Sequence, residues 1–128
     1  MDNLIEKVVN GNGDSDKHLL TLFSFALSLN AKNILELGVR HGDSTLPLLM
    51  ATQYTEGHVT SVDIDETSFI PPPNFKNNWT FVKENALDFL HNSDKTRPFD
   101  LIYVDDWHSY EHVKKEMEYI DALVSLKV

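Results

Sequence analysis

The stretch Asn33-Ile34-Leu35-Glu36-Leu37-Gly38-Val39-Arg40-His41-Gly42-Asp43-Ser44-Thr45 decides the fold. Ile34, Leu35 and Leu37 read as a buried strand over residues 33–38. Glycines then open a turn, and Asp43 or Ser44 stands where a helix is capped. A strand–turn–helix of this kind brings backbone N–H groups and the positive end of a helix up to a ligand. Gly38 and Gly42 carry no Cβ, so the backbone can approach that ligand closely. Glu36 sets a carboxylate beside the turn, which repels a phosphate and favours a ligand with a cationic or hydroxylated part.

Upstream, residues 10–16 are Gly, Asn, Asp and Ser, a loop that ends in cap candidates such as Ser15. Residues 17–29 carry Leu19, Leu20, Leu22, Phe23, Phe25, Ala26, Leu27 and Leu29, a helix apolar over much of its circumference. Downstream, the helix after the glycine turn runs to about residue 54, with Pro47 in its first turn and Thr55-Glu56-Gly57 closing it. His58–Asp63 reads as strand two. Residues 64–78, with Pro71-Pro72-Pro73, read as loop with a short helix near 66–70. Strand three follows at 79–83, a short helix at 85–92 and strand four at 99–104. The last helix is expected over 109–125, with Val113, Met117, Ile120 and Val124 as its apolar stripe. Strands alternating with helices predict an α/β fold, a three-layer and mainly parallel sheet with flanking helices. In such sheets ligands bind at the carboxyl ends of the strands. Residues 36–42, Asp63, Asn85 and Asp105 fall there.

The totals set outer limits. One hundred and twenty-eight residues suit one domain, and 41% hydrophobic residues suit a globular one. The net charge of −9, with no block of Lys or Arg, argues against nucleic acid or an anionic membrane as partner. There is no cysteine, so disulfides and thiolate metal sites are excluded. Residues 1–7 lack the basic region and apolar run of a signal peptide, and no apolar stretch is long enough for a bilayer, so a cytoplasmic protein is expected.

Asp63 ends strand two, 21 residues after Gly42. A carboxylate there can accept hydrogen bonds from ribose hydroxyls, which points to a nucleoside ligand; the plainer alternative is a strand-end Asp that caps the following turn. The spacing Glu-x-Gly-x-x-x-Gly differs from the Gly-x-Gly-x-x-Gly of pyrophosphate sites and disfavours a nicotinamide-dependent oxidoreductase.

Residues 33–45 together with 58–65 resemble the first motif and the following acidic strand of class I S-adenosylmethionine-dependent methyltransferases. Val104-Asp105-Asp106-Trp107-His108-Ser109-Tyr110-Glu111 is similar to the corresponding segment of macrocin- and cephalosporin-type O-methyltransferases and, more distantly, of catechol O-methyltransferases. The resemblance runs from about residue 15 to the end. It implies a Rossmann-like sheet of about four strands in the order 3-2-1-4, one partial domain over residues 1–128, and S-adenosylmethionine as cofactor. The implied activity is methylation of a hydroxyl on a small-molecule acceptor.

Residue by residue, the resemblance implies that Glu36 and the Gly38–Gly42 backbone hold the methionine end of the cofactor, and that Ser44 contacts the cofactor too. Asp63 would bind the ribose, Asn85 and Ala86 would lie beside the adenine, and Trp107 would border the cofactor. Asp105 would orient the cofactor or hold a metal ion, Mg2+ being the cation implied. His108 falls where the catechol enzymes keep a general base, and a neutral imidazole can accept a hydroxyl proton near pH 7.

Other residues read more plainly. His108 and His112 stand four apart, a metal-pair spacing, but without the His-Glu-x-x-His pattern they read as a helix-start residue and a surface residue. His41 reads as a loop residue, Trp79 and Phe81 as core, and Tyr110 and Tyr119 as helix packing. Lys114, Lys115, Glu116 and Glu118 read as a solvated face. In the resembling enzymes further strands follow the last helix. With four strands, strand four (Leu101-Ile102-Tyr103-Val104) is an open apolar edge, and a homodimer through it is one expectation. The others are a piece of a longer enzyme and a non-catalytic cofactor-binding or assembly module.

Overall fold

The computed structural model describes residues 18–106 and 110–124. Ser15, Trp107, His108 and Ser109 lie outside the described residues. Its elements are α1 (Leu19–Ser28), β1 (Asn33–Leu37), α2 (Thr45–Thr55), β2 (His58–Asp63), a 3-10 helix (Pro73–Asn78), β3 (Trp79–Lys83), α3 (Ala86–Asn92), β4 (Leu101–Val104) and α4 (Tyr110–Asp121). The four strands form one sheet in the order β3-β2-β1-β4, and every pair is parallel. This is the Rossmann-like topology expected from the alternation of strands and helices.

The sheet is covered on both faces because each strand alternates its side chains. Ile34 and Val59 join Leu19, Leu22, Phe23, Ala26, Leu48 and Leu49 in one core, beneath α1 and α2. Leu35, Leu37 and Val62 join Ala86, Leu90, Phe99 and Leu123 in the other, beneath α3 and α4. Register then decides where the polar residues meet. Glu36 lies opposite Ser61 in the β1–β2 ladder, on the face that looks toward α2. The amino end of β1 is fixed separately, where Asp100 Oδ2 accepts the N–H groups of Lys32 (2.7 Å) and Asn33 (3.1 Å).

Four expectations are corrected. Residues 66–70 are not helical. The helical turn starts instead at Pro73, whose fixed φ and missing N–H suit the first position of a helix, and Phe75 is buried beneath it. Ser44 occupies the N-cap position of α2 but makes no cap hydrogen bond, since its hydroxyl is engaged elsewhere. The buried stripe of α4 is rotated from Val113–Met117–Ile120–Val124. Met117 is half exposed, while Glu116 and, just past the helix, Leu123 are buried. Tyr110 is exposed and packs against no core.

Beyond α4 the chain turns back toward the sheet. Phe99 N–H donates to the Leu123 carbonyl (2.7 Å), and Phe99 and Val124 form a parallel bridge beside the start of β4. Among the described residues no helix is long and apolar enough to cross a membrane.

Candidate functional site

The turn after β1 owes its shape to three left-handed residues in five: Gly38 (φ +93°), Arg40 (φ +53°) and Gly42 (φ +83°). Gly38 is required twice over. A side chain is strained at that φ, and a Cβ there would come within 2.2 Å of the Asp105 carbonyl oxygen. The glycine thus lets the β1 turn pass directly under the end of β4. At Gly42 a Cβ would strike the ring of Phe69 at 2.2 Å. The segment after β2 folds over the turn there, and Thr67 Oγ1 donates to the Arg40 carbonyl (2.7 Å).

Glu36 lies beneath this turn with no solvent exposure. Its Oε2 accepts from Ser44 Oγ (2.5 Å), and its Oε1 accepts from Thr45 Oγ1 (2.5 Å) and Ser61 Oγ (2.8 Å). Ser61 Oγ in turn accepts the indole N–H of Trp79 at 2.8 Å. Burial pushes the Glu36 carboxyl up to about 7 against the three hydroxyls that favour its charged form, and Asp105 adds to the rise. Glu36 therefore ties β1, β2, β3 and α2 together at the root of the turn. Neither it nor Ser44 lines the cavity above.

Asp63, at the end of β2, reaches the same turn from the side. Its Oδ2 accepts the N–H groups of Val39 (2.9 Å) and Arg40 (3.3 Å), and its Oδ1 accepts that of Asp65 (3.1 Å). Burial pushes this carboxyl up, but the N–H groups of Val39, Asp65, Arg40 and Ile64 outweigh it and hold it below the ordinary carboxylate value. Asp63 is thus ionised at neutral pH and held in place by the glycine turn.

Asn85 caps α3, its Oδ1 accepting the Leu87 N–H (2.9 Å), and Ala86 follows at the first helical position. Asp105 follows β4, with its N–H donated to the Leu37 carbonyl (2.8 Å). Gly38, Asp63, Asn85, Ala86 and Asp105 come together around one cavity of about 1230 Å³ at the carboxyl edge of the sheet. That volume exceeds the usual range for a single small ligand. It is large enough to take a nucleoside-sized molecule.

The cavity also takes in residues that the sequence did not single out as its lining. Ile64, Asp106 and His112 line it, beside Arg40 and His41 of the Gly38–Gly42 turn. Ile64 and Asp106 stand just after strand ends, the signal that could have found them, whereas His112 reaches the cavity from α4. His112 is partly buried, not on the surface as expected. Its Nε2 lies 3.1 Å from Glu116 Oε1 and 3.4 Å from Asp106 Oδ2. Glu116 was read as part of a solvated face because it is charged. Its position three residues after Val113 and four before Ile120, on the inward stripe, was the signal that could have found it.

A fit to a metal ion at Asp105 can be tested on the donor set. Among the described residues, the group of three potential ligands whose donor atoms converge is Asp106, His112 and Glu116. Asp105 is not part of it, and one carboxylate does not make a magnesium site.

The profile of the family described as "Methyltransferase domain" matches residues 35–126. No curated protein matches the sequence. Among solved structures, an O-methyltransferase from Bacillus cereus in complex with SAH superposes with a TM-score of 0.70 at 20% identity, covering 97% of this chain and 62% of that one. An SAH-bound methyltransferase from Podospora anserina superposes with a TM-score of 0.64 at 18% identity, covering 98% and 58%. The Mg-SAM form of cmcI superposes with a TM-score of 0.59 at 20% identity, covering 84% and 48%. The chain thus spans between about half and two thirds of the length of these neighbours.

Proposed function

Because this chain belongs to the methyltransferase-domain family, we propose that it binds S-adenosylmethionine in the cavity at the carboxyl edge of its sheet and methylates a hydroxyl of a small-molecule acceptor. The observation that carries the reading is the joint of Gly38 and Asp63. The turn has no room for a side chain, and its amides hold an ionised carboxylate at the cavity wall.

In this reading Asp63 accepts the ribose hydroxyls, Asn85 and Ala86 border the adenine, and the Gly38–Gly42 backbone meets the methionine end. Glu36 and Ser44 act from below by fixing that backbone. When bound, the cofactor supplies a methyl group on a sulfonium. The residues of the chain must align an acceptor oxygen with it and take the hydroxyl proton. Asp105, at the cavity wall, orients the reactants. His108 is proposed as the base and Trp107 as a neighbour of the cofactor, both on the segment that joins β4 to α4.

Calorimetric titration of S-adenosylmethionine and S-adenosylhomocysteine tests the binding half. Both are expected to bind wild type, and Asp63→Ala is expected to abolish the heat. Asp63→Asn keeps an acceptor for the turn amides and separates loss of the ligand contact from loss of the turn. Binding unchanged in both variants would overturn the assignment. Methyl transfer lost in His108→Ala, with cofactor affinity retained, is the expectation for the base.

A non-catalytic binding or assembly module is the second reading. Binding without turnover across an acceptor screen would establish it. The far edge of β4 carries only the Phe99–Val124 bridge among the described residues, which leaves the ladder beside Leu101–Val104 open to a second copy. Sedimentation at several concentrations tests that dimer, and cell fractionation tests the cytoplasmic placement.

A further inference from the structure

Asp106, His112 and Glu116 form a cluster that the methyltransferase reading does not use. Asp106 follows β4, while His112 and Glu116 stand one turn apart on α4. One ligand atom from each lies within 4.8 Å of the others. Glu116 is fully buried, yet neither of its carboxyl oxygens accepts a hydrogen bond, and Asp106 Oδ1 accepts none either. Three buried acidic oxygens thus lack a hydrogen-bond partner in a cluster whose one nitrogen, His112 Nε2, lies 3.1 Å from Glu116 Oε1. Burying carboxyl oxygens in this way costs free energy unless something positive meets them.

We infer that Asp106, His112 and Glu116 bind a divalent first-row transition ion such as Zn2+ or Mn2+ at the wall of the cavity. The spacing suits it. Ligand atoms about 2.1 Å from a tetrahedral ion sit roughly 3.4 Å apart. The His112 Nε2 contacts with Glu116 Oε1 and Asp106 Oδ2 are 3.1 Å and 3.4 Å. The donor set also suits it, since an imidazole with two carboxylates favours Zn2+, Mn2+ or Fe2+ over the all-oxygen surroundings of Mg2+ and Ca2+. Asp106 and His112 both line the cavity, so coordination positions not filled by protein would open toward whatever the cavity holds. The inference stands on this geometry alone and does not depend on the identity of the cofactor.

The rival arrangement has no ion. In it Glu116 keeps its proton and donates it to Asp106, and burial together with that neighbour does push Glu116 above its ordinary value. The two arrangements give different results when the full chain, stripped with chelator, is titrated with Zn2+ against a chromophoric competitor. The ion site predicts one tight equivalent per chain, weakened by at least the roughly 10–100-fold that loss of even an outer-shell partner costs, in both His112→Ala and Glu116→Gln. His91→Ala, which removes a histidine outside the cluster, should leave the affinity unchanged. Mn2+ added to wild type should show a nitrogen coupling from one imidazole by pulsed paramagnetic resonance. That readout needs no variant to fold. Zn2+ binding that is absent, or equal in wild type and both variants, would overturn the inference. So would a protonated-carboxyl infrared band in wild type that persists at saturating Zn2+ and vanishes in Glu116→Gln.

Discussion

At the scale of single residues, the root of the glycine turn makes a pH-dependent prediction. Glu36 is raised to about 7 in the fold and returns to an ordinary value near 4.5 when unfolded. A group raised in this way contributes stability that is fully present below the unfolded value and is lost as pH rises through the folded one. Stability should therefore fall between about pH 4.5 and 7, by on the order of 3 kcal/mol for a shift of that size. Urea unfolding across this range should show the decline in wild type and a flatter profile in Glu36→Gln. Asp63 has the opposite sign, because its lowered value contributes stability that is lost only as pH falls below the ordinary carboxylate range. Gly38→Ala places a methyl group 2.2 Å from a backbone oxygen at a φ that alanine avoids. It should cost roughly 3 kcal/mol or more in thermal unfolding, and it should remove ligand binding with it.

At the scale of elements, α3 and α4 separate what the sequence made legible from what it did not. Asn85 was legible as a strand-end residue, and it proves also to cap α3. Asn85→Ala should cost about 1 kcal/mol, while Asn85→Asp should keep most of the cap. The span of α4 was legible from apolar spacing to within a few residues, but its rotation was not. A stripe chosen by hydrophobicity alone takes Met117 and passes over Glu116, and the fold does the reverse. The physical reason is local: Glu116 faces His112 and Asp106, from the same helix and from the end of β4, and its charge masks the inward spacing it shares with Val113 and Ile120. Leu123→Ala should cost about 2–4 kcal/mol, whereas Met117→Ala should stay within about 0.5 kcal/mol in the same denaturation assay. The strands, by contrast, were read nearly to the residue. Val, Ile, Leu and aromatic runs bounded by Gly, Asn and Pro leave little freedom in where they start or stop.

At the scale of the whole molecule, a parallel β-α-β chain has few ways to arrange itself, and that is why the sheet order could be expected from the resemblance and then found. The same rule gathers residues up to 69 positions apart, Glu36 to Asp105, at one edge. What that rule cannot give is which polar atoms spend their hydrogen bonds on each other. The resemblance implies Glu36 and Ser44 as cofactor contacts. The register of β1 against β2 turns Glu36 toward Ser61 instead, and α2 delivers Ser44 and Thr45 to the same carboxyl.

The indole of Trp79 ends that chain of hydrogen bonds, two links from the turn that walls the cavity. The sequence has one other tryptophan, Trp107. Trp107→Phe would leave a single emitter wired to the Glu36 carboxyl, so the wavelength of its fluorescence should move when that carboxyl gains or loses its proton. The protein would carry its own optical gauge of the turn, readable without a label.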